Sequence, residues 1–217
     1  MPFALMSDRN LTNSDTLPAT LSAIAVAAAG ALIFLAYDFG PQSLHMALHI
    51  AAMNVAAPLA AALLSRRLPS WVGRCRALWF SAAAQLVLLW AWHAPLVQHA
   101  AAGSLGYHAM AHAALFLSSF VFWSAIIRLP ERHGWQAIAA LLLTGKLACL
   151  LSALLIFSPR MLYDVSLHHG RLDDQQLAGL LMITACPLSY LIAAVVLASQ
   201  LVGRLSQRSS RTSFKTG

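Results

Sequence analysis

The sequence predicts an all-α polytopic membrane protein, a bundle of six transmembrane helices with both termini in the cytoplasm. Three observations predict it. The 217 residues are 59% hydrophobic and only 10% charged, with a mean hydropathy of +0.69, too apolar for a soluble domain of this size. Almost uncharged runs recur along the chain, each close to the roughly 20 residues a helix needs to cross about 30 Å of hydrocarbon. Basic residues gather in alternate connections between those runs.

The first run, 17–37, follows a mostly polar segment with Arg9 and is long for a signal-peptide core, so it is expected to be retained. The second covers 44–64. The third covers 77–92 and continues uncharged past His93 toward Ala102, with Pro95 expected to stop the helix. The fourth, fifth and sixth cover 105–127, 135–157 and 177–202. No alternation of polarity marks barrel strands, so helices must satisfy the backbone. The expected organisation is a cytoplasmic tail at 1–16, a six-helix transmembrane domain at 17–203 and a basic cytoplasmic tail at 204–217. There is no internal repeat or second domain, and Cys75, Cys149 and Cys186 suggest no exported disulfide framework.

Six spans place Arg9, Arg66, Arg67, Arg74, Arg76, Arg128, Arg132, Arg204, Arg208, Arg211 and Lys215 on one side, against Arg160 and Arg171 on the other. The positive-inside rule makes the richer side cytoplasmic. The net charge of +7 is therefore topological, and without groove-binding or aromatic patterning it does not indicate nucleic acid. The partner expected from composition is the lipid bilayer.

The same threading puts every histidine except His133 on the outer side. His45 and His49 open the second run and His108 and His112 open the fourth, each pair at the i, i+4 spacing that stacks side chains on one helix face. His93 ends the third. Polar groups in lipid usually serve a function, and imidazoles facing one compartment make a metal or haem site. The predicted site is His45, His49, His93, His108 and His112, with Met46, Met53 and Asp174 as auxiliary ligands. For His99, His168 and His169 the simpler reading holds: interfacial groups satisfied by water or a carbonyl. Met53, Met182 and Cys186 also have a plain reading as apolar packing.

Imidazole with thioether or thiolate favours copper, above all Cu(I), whereas imidazole alone also suits Zn(II), Cu(II) or iron. Haem b held by two histidines is the competing cofactor, in an electron-transfer protein. A metal or proton transporter is a third alternative. Both histidine pairs lack the glutamate of an HExxH protease, and neither a Ser-His-Asp set nor a phosphate-binding glycine loop occurs, so no enzyme is expected.

The motifs LHMALHI (44–50), WHAPL (92–96), HAMAHAALF (108–116) followed by Phe122 and Trp123, FSPRMLY (157–163) and DQQLAGLLM (174–182) occur in that order. The chain thereby resembles the CtaG family of caa3-type cytochrome c oxidase assembly factors. The resemblance runs from the second run to the end of the sixth. It implies a multi-pass protein of the bacterial inner membrane that helps mature a haem-copper oxidase, with a metal site facing the periplasm, copper as cargo and oxidase subunits as partners. Two departures stand out. Ala111 replaces a glutamate common in the family before the second histidine of its pair, and Ile183, Thr184 and Ala185 replace a tryptophan and glycine common after Met182. These affect the surroundings of the histidines and leave the histidine frame intact.

Lys146, at the midpoint of the fifth run, is the one formal charge within the six runs. It cannot easily reach either interface, so it is neutral, bound to helix carbonyls or water in the bundle, or paired with a partner protein; the plainer reading is a shifted or tilted helix that brings it to a small water pocket.

Overall fold

The computed structural model describes residues 40–101, 104–162 and 172–215, side chains at 101 and 207–215 excepted. The run at 17–37, the tail at 1–16, His168 and His169 lie outside the described residues. Within these limits the chain is helical, with no strand. The helices are α1 (Pro41–Ala51), α2 (Ala57–Leu64), α3 (Cys75–Trp92), α4 (Pro95–Ala101), α5 (Leu105–Arg128), α6 (Gly134–Phe157) and α7 (Leu172–Lys215). Five stretches among the described residues are long and apolar enough to cross a membrane: Pro41–Arg67, Cys75–Trp92, Leu105–Arg128, Glu131–Phe157 and Leu172–Ser206.

The surface is apolar, and small side chains are frequent in the interior. Leu63, Phe80, Leu96 and Phe157 are each at least 77% exposed, whereas Ala57, Ala61, Ala125, Ala140 and Ala178 are fully buried. That inversion is what a bilayer requires, because helices in lipid associate by close packing of small residues and need no apolar surface hidden from water. Gly179 shows how tight the approach is: a Cβ there would lie 2.8 Å from Ile156 on α6.

Two differences from the sequence expectations have local causes. Pro95 does not simply end the third run; α3 stops at Trp92 and Pro95 opens α4, as proline does where its missing N–H is not needed. The second run is not one regular helix either, since a π-helical turn, Ala52–Ala56, joins α1 to α2. Pro58 explains it, because an α-helical turn would press the proline ring against the carbonyl of Asn54. In the widened ladder the Ala57 N–H reaches the Ala52 carbonyl, and the Met53 carbonyl would face the N–H that Pro58 lacks. The Ser119 hydroxyl of α5 donates to that carbonyl instead, at 2.8 Å. The last helix begins earlier than its apolar run and continues through the basic stretch to Lys215.

Two core layers fill the bundle. One holds Phe122, Trp123, Leu78 and Leu141 around Tyr190, whose ring stacks on Trp123 at 5.6 Å. The other holds Met46, Met53, Leu89, Leu115, Met182 and Cys186. Gln85 bridges the layers by donating to the Tyr190 hydroxyl.

The basic connections meet at one end. Arg128 donates to the carbonyls of Ser65 and Pro69, at 3.0 Å each, and to that of Leu68, tying the end of α2 to the end of α5. Arg204 pairs with Glu131 at 2.6 Å, but both are exposed and such a pair adds little stability.

Candidate metal centre

At the opposite end the helix termini carry the polar side chains. Helix α1 starts with Gly40 as its cap and Pro41 behind it, so its own residues offer no side-chain acceptor to the first-turn N–H groups. Asp174, from the first turn of α7, supplies one across the bundle. Its carboxylate accepts from the backbone N–H of Gln42 at 2.9 Å and of Ser43 at 3.0 Å, and from the Ser43 hydroxyl. A negative group at a helix N-terminus is also favoured by the helix dipole. Glycine is required at position 40 because a Cβ would fall 2.2 Å from the Asp174 Cγ.

Gln175 fixes the same end of α7. Its amide donates to the Leu155 carbonyl at 3.2 Å and its oxygen accepts from the Leu162 N–H at 2.7 Å. The end of α6 thus holds α7, and α7 holds the start of α1.

That start carries His45 and His49, one turn apart, with their Nε2 atoms 2.9 Å from each other. Helix α5 brings His112 to both, its ring centroid 4.9 Å from that of His45 and 4.2 Å from that of His49. His108 lies beside His45 at 5.5 Å, and His93 beside His49 at 5.6 Å. The five predicted histidines therefore form one connected cluster, in which His49 and His93 are 4% and 3% exposed.

Hydrogen bonds set the tautomers. His112 Nδ1 lies 2.7 Å from the His108 carbonyl and His93 Nδ1 lies 2.6 Å from the Leu89 carbonyl. A carbonyl only accepts, so both rings carry the proton on Nδ1 and present an Nε2 lone pair. The buried Nε2 of His112 has no hydrogen-bond partner, nor has the buried Nδ1 of His49, among the described residues. A metal-binding histidine is usually held in this way, its second nitrogen donating to a carbonyl or carboxylate. His93 Nε2 sits 3.3 Å from the Met46 sulfur, which puts a thioether at the edge of the cluster. Burial pushes the His93 imidazole below the usual histidine range, while its bond to the Leu89 carbonyl acts the other way.

His45, His49 and His112 could hold one ion together, each offering a nitrogen within 4.8 Å of the others. Nitrogen ligands about 2.0 Å from a common ion lie some 3.3 to 3.5 Å apart in trigonal or tetrahedral geometry, so small ring rotations would close the site. His93, His108 and Met46 stand around this triad.

The remaining sequence candidates are placed differently. Met53 is buried in the core layer that also holds Met46, Met182 and Cys186, and shares with Cys186 and Gln85 the wall of a cavity of about 10 Å³. Asp174 lies at the same end of the bundle, but its carboxylate oxygens serve the first turn of α1. His99 is exposed on α4. Gly40, Ser43 and Gln175 position the site and were not singled out by sequence reasoning. The signal for the first two was a helix start with no cap of its own, Gly-Pro-Gln-Ser.

Fold and site together define a multi-pass helical membrane protein with a partly buried histidine cluster at one end of its described helices. The sequence model of the cytochrome c oxidase caa3 assembly factor family (Caa3_CtaG) matches residues 19–204, and the chain belongs to that family. No curated protein and no solved structure matches it significantly.

Proposed function

We propose that this protein receives copper at the histidine cluster, on the periplasmic face of the inner membrane, and passes it to a haem-copper oxidase subunit during assembly. Membership of an oxidase assembly family supports the destination. The observation that carries the metal reading is the convergence of His45, His49 and His112 nitrogens within 4.8 Å, with the His112 lone pair fixed by the His108 carbonyl.

The donor set favours Cu(I) over harder ions because Met46 stands beside His93 and more sulfur, from Met53, Met182 and Cys186, packs in the same core layer as Met46. Delivery needs no bond-making beyond ligand exchange: incoming donors of the oxidase replace imidazoles one at a time. His45 and His108 are the natural exit ligands, being less buried than His49 and His93. Haem is disfavoured by the 4.2 Å stacking of His49 on His112, which leaves no slot for a macrocycle between those rings.

The test is metal analysis of protein purified in detergent, loaded with Cu(I) and passed over a competing chelator. Stoichiometric copper without a Soret band is expected, and its loss in the His49→Ala, His112→Ala double variant. A Soret band, or full copper retention by the double variant, would overturn the reading.

A further inference from the structure

Among the described helices, Lys146 lies on the outside. It is exposed on α6, about midway along a helix of 24 residues, so roughly 17 Å of helix separates it from either end. A lysine side chain is far shorter than that, so the ammonium cannot snorkel to either membrane surface. It borders a groove of about 300 Å³ between α6 and α7, lined also by Leu142, Cys149, Thr184, Pro187 and Leu188. The Thr184 hydroxyl is turned back onto the Leu180 and Leu181 carbonyls of its own helix, at 2.8 and 3.1 Å. The groove walls thus give the ammonium no carboxylate, and no ion pair forms with Lys146 among the described residues.

The sequence places no carboxylate within an apolar run either. All the acidic residues, Asp8, Asp15, Asp38, Glu131, Asp164, Asp173 and Asp174, fall outside the six apolar runs. The run at 17–37 holds no acidic residue, and a second copy would bring none within its runs. An ionisable group at mid-membrane is expensive and persists where a partner answers it.

We infer that the α6–α7 groove is a docking site for a transmembrane helix of a different protein that carries an aspartate or glutamate near its midpoint, which pairs with Lys146. The apolar walls receive the partner's aliphatic side chains, and the ion pair fixes its depth. In hydrocarbon the pair strengthens because water does not compete with it. The groove is independent of the histidine cluster, so this inference stands or falls separately from copper binding.

The test uses the full chain in phosphatidylcholine vesicles, with an acceptor fluorophore fused after Gly217. The probes are donor-labelled Leu/Ala transmembrane peptides of roughly 20 residues, with one central Glu or one central Gln. Energy transfer should show at least tenfold tighter association of the Glu peptide with the unaltered chain. Lys146→Met should abolish that preference, Lys146→Arg should keep it, and Lys146→Glu should transfer it to a peptide with a central Lys. Equal binding of the two peptides by the unaltered chain, or a preference that survives Lys146→Met, would overturn the inference. So would self-association of the chain that Lys146→Met abolishes. In cell membranes, a photo-crosslinker at Leu188 should map to an acid-bearing transmembrane segment of another protein; crosslinks to lipid alone would count against it.

Discussion

Backbone carbonyls one turn back, at His108 and Leu89, fix the orientation and tautomer of His112 and His93. Each carbonyl holds the Nδ1 proton, so the ring keeps a lone pair without any carboxylate nearby. Changing surroundings of this kind typically costs about 10- to 100-fold in metal affinity, and losing a ligand should cost at least as much. His49→Ala alone should therefore weaken Cu(I) retention by about 100-fold or more in chelator competition. Met46 offers a finer test. Met46→Leu keeps volume, at a cost usually under about 1.5 kcal/mol, but removes the thioether beside His93. It should weaken Cu(I) while leaving Zn(II) binding nearly unchanged, as read by competition with each ion. Asp174 separates a cap from a ligand. Asp174→Ala should destabilise the protein by about 1–2 kcal/mol, the usual cost of an N-cap, seen as a lower melting temperature. Asp174→Asn keeps an acceptor oxygen and should bind copper nearly as tightly as the unaltered chain.

Helix α1 is bound at three levels: Asp174 at its start, the histidines against α5 one turn in, and Ser119 at the π-helical turn. Pro58 interrupts the second run at this turn, and the Ser119 hydroxyl donates to the Met53 carbonyl, whose place in the widened ladder faces the proline. Removing the hydroxyl orphans a buried carbonyl, which costs about 1–3 kcal/mol. Ser119→Ala should accordingly lower the thermal midpoint in detergent, whereas Ser118→Ala, which loses a bond only to the Leu115 carbonyl of its own helix, should be nearly neutral. The α6–α7 contact depends on Gly179 in the same way. A Cβ there already meets the Ile156 side chain and the Leu155 Cβ, at 2.8 and 3.0 Å. Gly179→Leu should push α7 outward, break the Gln175 bonds to the end of α6 and, through Asp174, loosen the histidine pair of α1. Lower stability and weaker copper binding should appear together.

Across the whole molecule, the described spans alternate in direction, and their ends sort into two chemistries. The histidines, Asp174 and Gln175 meet at one end; Arg66, Arg67, Arg74, Arg128 and Glu131 meet at the other. If the basic end is cytoplasmic, as charge asymmetry predicts, a membrane-impermeant maleimide should reach Gln98→Cys from the periplasm. Ser70→Cys should react only after permeabilisation. The reverse pattern would place the histidine cluster in the cytoplasm and remove the route by which periplasmic copper reaches it.

Much of this was legible in the chain itself. Apolar runs without charge must be helices in lipid, and an i, i+4 pair of histidines must share a helix face, because both follow from backbone geometry alone. The sequence by itself therefore determined the helical membrane class, the motif order of the family and the five histidines of the cluster. It could not show that Asp174 serves Ser43 of α1, that Pro58 opens a π turn whose carbonyl Ser119 answers, or that Lys146 faces outward. Those depend on which helices are neighbours and how each is rotated, and apolar runs in a bilayer carry little information on either, since every face is hydrophobic. Only the tertiary structure decided them, through close contacts of small residues and a few hydrogen bonds between helices far apart in the chain.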